Sequence, residues 1–315
     1  MTLTIGVDIG GTKVAAGVVD PQGRILDKVK YPTPADSTAI ADVVCDAVEE
    51  LLVRHTGAAI SGVGCGTAGF VHEDRATVMF APNLAWRDEP LQKRVRQRID
   101  LPVVIENDAN AAAWAEARFG AGRGAAHVVC VTLGTGIGSG VVADGALFRG
   151  RHGIAGEIGH YRMVPDGRRC GCGNHGCWEQ YASGRALVAE AQDLATADPI
   201  YGARLLDLAE GDTARIQGAE ITLAAQEGDP AALECFRIVG EWVGLGLADL
   251  AAILDPECFV IGGGVSEAGD ILLEPARASF TRHVTGRAVR SLADVRTAEL
   301  GPEAGIVGAG DLARR

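Results

Sequence analysis

The chain has 315 residues, 47% of them hydrophobic, and a formal net charge of -12 at pH 7. That length suits about two domains, each able to bury its own core, and the acidic balance argues against nucleic acid or an anionic membrane surface as the main partner. The amino terminus lacks the basic start, apolar run and cleavage site of a signal peptide and no long apolar span is present, so a cytoplasmic protein acting on a small ligand is expected.

Leu3 to Asp8, Val14 to Val19 and Arg24 to Lys30 read as short strands between glycine turns, followed by a helix from about Thr38 to His55 and a strand from Ile60 to Gly66. A helix carrying Lys93, Arg94, Arg96 and Arg98, read as a solvated basic face, leads to the strand Val103 to Ile105. That strand ends at Glu106-Asn107-Asp108, where a helix from Ala109 to Phe119 begins. Strands follow at His127 to Thr132 and Ile137 to Val142. Helices then dominate from Gly184 to about Leu254, with a polar break near 210–215, before a strand from Cys258 to Ile261 and a closing helix from Ala304 to Ala313.

The segments Asp8-Ile9-Gly10-Gly11-Thr12-Lys13 and Leu133-Gly134-Thr135-Gly136-Ile137 each place a glycine-threonine hairpin between two strands, an internal repeat about one domain length apart. Glycine allows the backbone to approach a ligand closely, so both hairpins can aim N–H groups and hydroxyls at phosphate oxygens. One such hairpin alone reads more readily as an ordinary tight turn. The pair, with Asp8 available to hold Mg²⁺ through water, points to a nucleotide. Lys13 either adds charge near the phosphates or is a solvated strand residue.

Between Gly156 and Glu179 lie Glu157, His160, Cys170, Cys172, His175, Cys177 and Glu179. Three cysteines and one histidine complete a closed tetrahedral zinc site. His175 competes with His160 for the fourth position on spacing alone. A full shell leaves Glu157 and Glu179 for other partners, sugar hydroxyls among them, whereas a zinc knuckle that only staples a loop is the plainer alternative. The other cysteines, Cys45, Cys65, Cys130, Cys235 and Cys258, stand singly in apolar surroundings and read as buried thiols.

With the first hairpin, the Glu106-Asn107-Asp108-Ala109-Asn110 turn, the second hairpin and the Glu157 to Glu179 block in this order, the chain resembles the ROK family of sugar kinases and repressors. The resemblance spans essentially the whole sequence and is greatest to bacterial ATP-dependent glucokinases. It implies an α/β, actin-like ATPase (ribonuclease H-like) fold with two domains around a cleft: a small domain, 1–108, completed by residues 300–315, and a large one, 109–299. It implies transfer of the γ-phosphate of ATP to the 6-hydroxyl of glucose, with Asp108 as catalytic base, a position that also suits a helix N-cap.

Under the same resemblance Gly69, Asn83, Asn107, Asp108, Glu157, His160 and Glu179 contact the sugar. The loops 66–69 and 82–86 close the pocket, with Ala68 standing where many relatives carry proline. Asp8, Gly10, Gly11, Thr12, Lys13, Gly134, Thr135 and Gly136 serve the phosphates and their Mg²⁺, and Gly262, Gly263 and Gly264 the adenosine. His160, Cys170, Cys172 and Cys177 hold a structural zinc, His160 being preferred to His175 because the family motif uses it. The family suggests a homodimer or homotetramer. Fructose, mannose, N-acetylmannosamine or allose as acceptor, polyphosphate as donor, and a sugar-sensing regulator are the alternatives; the regulators carry an N-terminal DNA-binding segment, for which Leu3 as the start of the first strand leaves no room.

Overall fold

The computed structural model describes residues 2–314. Strands β1 (Leu3–Ile9) and β2 (Lys13–Val19) pair antiparallel, Asp8 opposite Ala15, and β3 (Ile25–Pro32) extends them. Helix α1 (Ile40–Arg54) follows and buries Ile40, Val44, Val48 and Leu51, one stripe at helical spacing, in the core of this sheet. β4 (Ile60–Thr67) then adds parallel to β1.

A small antiparallel sheet of β5 (Phe70–Val71), β6 (Val78–Ala81) and β7 (Trp86–Glu89) occupies a stretch for which the sequence suggests only the two pocket loops, 66–69 and 82–86. Its strands of two to four residues are too short to show alternation. After it come α2 (Leu91–Arg96), β8 (Val103–Asn107), parallel to β4, and α3 (Asp108–Phe119). The basic run is paired outward: Arg94 bonds Glu89, and Arg98 reaches Asp46 and Glu49 of α1, each at 2.7 Å.

The pattern then repeats. β9 (Val128–Leu133), β10 (Ile137–Ala143) and β11 (Ala146–Leu147) are followed by the helices α4 (Glu179–Ala182), α5 (Gly184–Ala197), α6 (Ala203–Leu208), α7 (Gly218–Gln226) and α8 (Pro230–Leu254). α8 starts at a proline behind Asp229, whose carboxylate accepts the Ala232 N–H at 2.9 Å. The expected polar break is a 3₁₀ turn at Thr213–Arg215. β12 (Cys258–Gly262), α9 (Asp270–His283), β13 (Asp294–Thr297) and α10 (Ala304–Leu312) complete the chain, α9 and β13 being elements the sequence reading did not assign.

Strand order is β3-β2-β1-β4-β8 in the first five-stranded sheet and β11-β10-β9-β12-β13 in the second. In both, the third, second, first, fourth and fifth strands lie side by side, so the repeat seen in the two hairpins is a repeat of topology. By compactness the chain falls into two units, Met1–Cys130 with Ser139–Gly156 and Ala298–Arg315, and Val131–Gly138 with Glu157–Thr297. α3 stays with the first unit, whereas the expected second domain starts at residue 109, because α3 packs on α10. Among the described residues no helix is long and apolar enough to cross a membrane.

α10 lies directly on the first sheet, backbone against backbone. A Cβ added at Gly64 would sit 1.8 Å from the Ala309 carbonyl oxygen, so only glycine fits there. Gly64→Ala should therefore destabilise the first unit by about 3 kcal/mol. Gly218→Ala, at an open position at the start of α7, should change stability by less than about 1 kcal/mol. Urea denaturation of the two variants checks both.

Candidate active site and metal centre

The parallel strands β1, β4 and β8 run in register, Asp8 beside Gly66 and Gly66 beside Glu106, so their carboxyl ends emerge together. That edge of an α/β sheet is where ligands bind, because the chain leaves it in loops and opens a crevice there. Asn107 ends β8 with extended backbone, and its side-chain oxygen accepts the Asn110 N–H at 2.9 Å. The capping role that suited Asp108 thus falls to Asn107.

Asp108 is the first residue of α3, where helix N–H groups favour a negative charge. Its Oδ1 accepts the Ala109 N–H at 2.8 Å and the Asn107 Nδ2 at 3.2 Å. Oδ2 carries no hydrogen bond among the described residues. Burial raises the Asp108 pKa above the ordinary carboxylate range, opposed by the Ala109 N–H. Burial, then the charge of Asp108, likewise push Asp8 up to about 6, while Lys13 pulls it down. Two carboxylates and one lysine therefore share one field.

The first hairpin closes through the Gly10 N–H on the Lys13 carbonyl at 2.9 Å, and Gly11, Thr12 and Lys13 are exposed beyond it. A Cβ at Gly11 would lie 3.7 Å from the Asn83 carbonyl, which brings the 82–84 turn beside the hairpin. Gly69, at φ +100°, accepts Asn107 Nδ2 at 3.1 Å on its carbonyl. Any side chain there would meet the Phe80 carbonyl at 2.3 Å. Trp86 departs from the expected pocket loop: its ring is buried in the core and its Nε1 donates to the Ser37 carbonyl.

In the second unit, Glu157 precedes and His160 ends a 3₁₀ turn, Ile158–His160, with the His160 N–H on the Glu157 carbonyl at 3.1 Å. Glu179 opens α4 and is buried. It lies against the second hairpin, since a Cβ at Gly136 would stand 2.5 Å from Glu179 Oε2. Gly134 closes that hairpin on Gly136 at 3.0 Å, and Thr135 is exposed at its tip. Gly263 follows β12, within 2.5 Å of the Leu133 carbonyl were it to carry a Cβ, so Gly262 to Gly264 adjoin the base of the hairpin.

The donor atoms of His160, Cys170, Cys172 and Cys177 all lie within 4.8 Å of one another. Cys172 and Cys177 are 3.6 Å apart, sulfur to sulfur, and His160 Nδ1 is 3.6 Å from Cys170 Sγ. Bonds of about 2.3 Å to sulfur and about 2.0 Å to nitrogen in a tetrahedron give edges of about 3.6–3.8 Å. The four residues fit a tetrahedral metal, and His175 is outside the group. Nδ1 faces the donors, so the ring's Nε2 remains for another partner.

Three residues beside these sites escaped the sequence reading. Glu106 is a buried carboxylate within β8, bonded by Arg149 at 2.7 Å. Arg185 donates to the Thr135 carbonyl at 2.9 Å. Arg149 and Arg185 belong to no motif, and only their tertiary neighbours reveal them. Glu106 had a legible signal, an acidic residue directly after the apolar run Val103 to Ile105.

The repeated sheet topology, with a glycine-threonine hairpin in each copy, defines an actin-like ATPase of the ribonuclease H-like class. A profile of the ROK family matches residues 4–315, and the chain belongs to that family. It is 54% identical to a glucokinase of Streptomyces coelicolor over 314 residues, covering 100% of this chain and 98% of the relative. Among solved structures it is similar to a ROK family glucokinase from Streptomyces griseus in complex with glucose and AMPPNP, at 55% identity, 99% coverage of both chains and a TM-score of 0.88. The ROK hexokinase of Thermus thermophilus is 35% identical, with a TM-score of 0.80 and 99% and 98% of the two chains covered.

A carboxyl whose pKa is higher folded than unfolded favours folding while protonated, and that contribution is lost as pH rises from about 4 to about 6. The ligand-free wild type should therefore lose about 2 kcal/mol relative to Asp8→Asn across this interval. Urea unfolding of both proteins at several pH values measures it, and a pH-independent difference would mean that Asp8 titrates normally.

Proposed function

We infer that this protein is an ATP-dependent glucokinase, transferring the γ-phosphate of ATP to the 6-hydroxyl of glucose to give glucose 6-phosphate and ADP. The observation that carries the reading is the Asp108 carboxylate at the strand-to-helix switch, one oxygen held and the other unengaged, in a chain of this family. Phosphoryl transfer passes through a loose transition state, so the protein's main task is to position reactants and stabilise charge.

In this reading Asp108 Oδ2 accepts the proton of the 6-hydroxyl as the phosphoryl group arrives. Burial raises its pKa, which makes the ionised carboxylate a stronger base toward the hydroxyl proton. Asn107, Gly69 and Asn83 bind and orient the sugar, as do Glu157, Glu179 and His160 through Nε2. Gly10, Gly11, Thr12, Lys13, Gly134, Thr135 and Gly136 hold the phosphates, and Gly262, Gly263 and Gly264 the adenosine. The Mg²⁺ that accompanies ATP would neutralise phosphate charge, with Asp8 holding it through water.

For the Cys-His cluster we propose zinc. Three thiolates and an imidazole suit it, and a filled shell leaves no open position for catalysis. Its contribution would be to fix the His160 ring and the backbone that carries Glu157 and Glu179.

Asp108→Asn should lower turnover by at least about 1,000-fold while glucose affinity stays within about tenfold. A coupled assay with calorimetric binding reads both, and near-normal turnover would remove Asp108 from its role. Metal analysis should give about one zinc per chain. Stripping it should raise the glucose KM about tenfold or more with less effect on that of ATP, and unchanged glucose binding by zinc-free protein would overturn the orienting role.

A further inference from the structure

Glu106 is 2% exposed, and a carboxylate so placed is tolerated only when both oxygens are satisfied. Both are. Oε1 accepts the backbone N–H of Asn107 at 3.1 Å and Asn110 Nδ2 at 3.2 Å. Oε2 accepts Arg149 Nε at 2.7 Å and has Arg75 Nε at 3.7 Å. The two groups on Oε1 stand immediately before Asp108 and two residues after it.

Asn107 and Asn110 are themselves joined by the helix cap, and Asn107 Nδ2 bridges the Gly69 carbonyl and Asp108 Oδ1. A closed set of hydrogen bonds thus runs Glu106 to Asn107 to Asp108, with Asn110 returning to Glu106. Arg149 fixes the far oxygen from the segment after β11. Arg75 belongs to the turn between β5 and β6, and its carbonyl also accepts the Ile105 N–H at 2.9 Å.

We propose that Glu106, held by Arg149, is a positioning residue for phosphoryl transfer: it sets the backbone of Asn107 and so the rotamer of Asp108, without touching the sugar. The proposal rests on Asp108 being the base. Reacting groups must be held within a fraction of an ångström for transfer, so loosening this turn lowers the rate of the chemical step more than the binding of substrate. Glu106→Gln tests this, because the amide keeps the shape but places an N–H₂ donor against either Arg149 Nε–H or the Asn107 N–H.

The expected result is a kcat lowered about 10- to 100-fold per active site, with glucose KM within about threefold, and amide exchange at Asn107 to Asn110 accelerated at least about tenfold. Arg149→Lys keeps the charge while losing the Nε–H, and should give a smaller change in the same direction. If Glu106→Gln does not fold, the Arg149→Lys comparison carries the test. A merely structural Glu106 would lower Tm and the fraction of active molecules but leave kcat per active site within about twofold, and that result, or unchanged exchange at Asn107 to Asn110, overturns the proposal. If the wild type fails to phosphorylate glucose, the functional reading fails, whereas the exchange measurement still decides whether Glu106 holds the turn.

Discussion

The constraint on which the first unit depends is the burial of negative charge at one edge of a parallel sheet. Asp8, Glu106 and Asp108 come from the ends of β1 and β8 and from the first turn of α3, and the charge of Asp108 adds to the electrostatic cost of Asp8. Glu106 is compensated by Arg149 and Arg75. Among the described residues Asp108 has only helix N–H groups and one amide. Asp8 has Lys13 alone among opposite charges named by its shift. The two less compensated groups are the ones proposed as base and as holder of the cation.

Close backbone packing makes that edge possible. α10 descends on β1 and β4 where glycines leave no side chain between them, and α3 packs on α10 in turn. The Trp114 Nε1 donates to Asp311 Oδ2 at 2.8 Å, which ties the two helices together. A second buried carboxylate, Glu116, accepts the backbone N–H groups of Ala121, Glu299 and Leu300. The start of α3, where Asp108 sits, is thereby fixed from its far end as well as from β8.

The second unit solves its own problem by other means. Residues 157–179 contain little regular structure, a 3₁₀ turn and isolated bridges at Arg162 with Cys177 and Arg169 with His175. A segment so poor in ladders cannot hold three polar side chains in place through backbone hydrogen bonds alone. The four donors that converge in it would, around the metal proposed for them, supply a cross-link in exchange. The Trp178 ring, fully buried and bonded to the Trp242 carbonyl, anchors the end of the segment to α8.

By itself the sequence determined the α/β alternation, the glycine-threonine repeat, the strand-to-helix switch at Asn107 and Asp108, and the identity of the cluster's cysteines, because these are written in residues close together along the chain. His160 over His175 came from the resemblance, and the fold then grouped it with the cysteines. The small β5-β6-β7 sheet, the β13 edge and the burial of Trp86 were illegible: short strands carry no period, and an aromatic residue in a loop looks the same whether it lines a pocket or fills a core. Only the tertiary structure gave the cap to Asn107 and, among the described residues, bonded Asp108 through Oδ1 and not Oδ2. It alone brought Arg149 to Glu106 across 43 residues, since a bond between distant segments depends on how the strands are ordered and not on local preference.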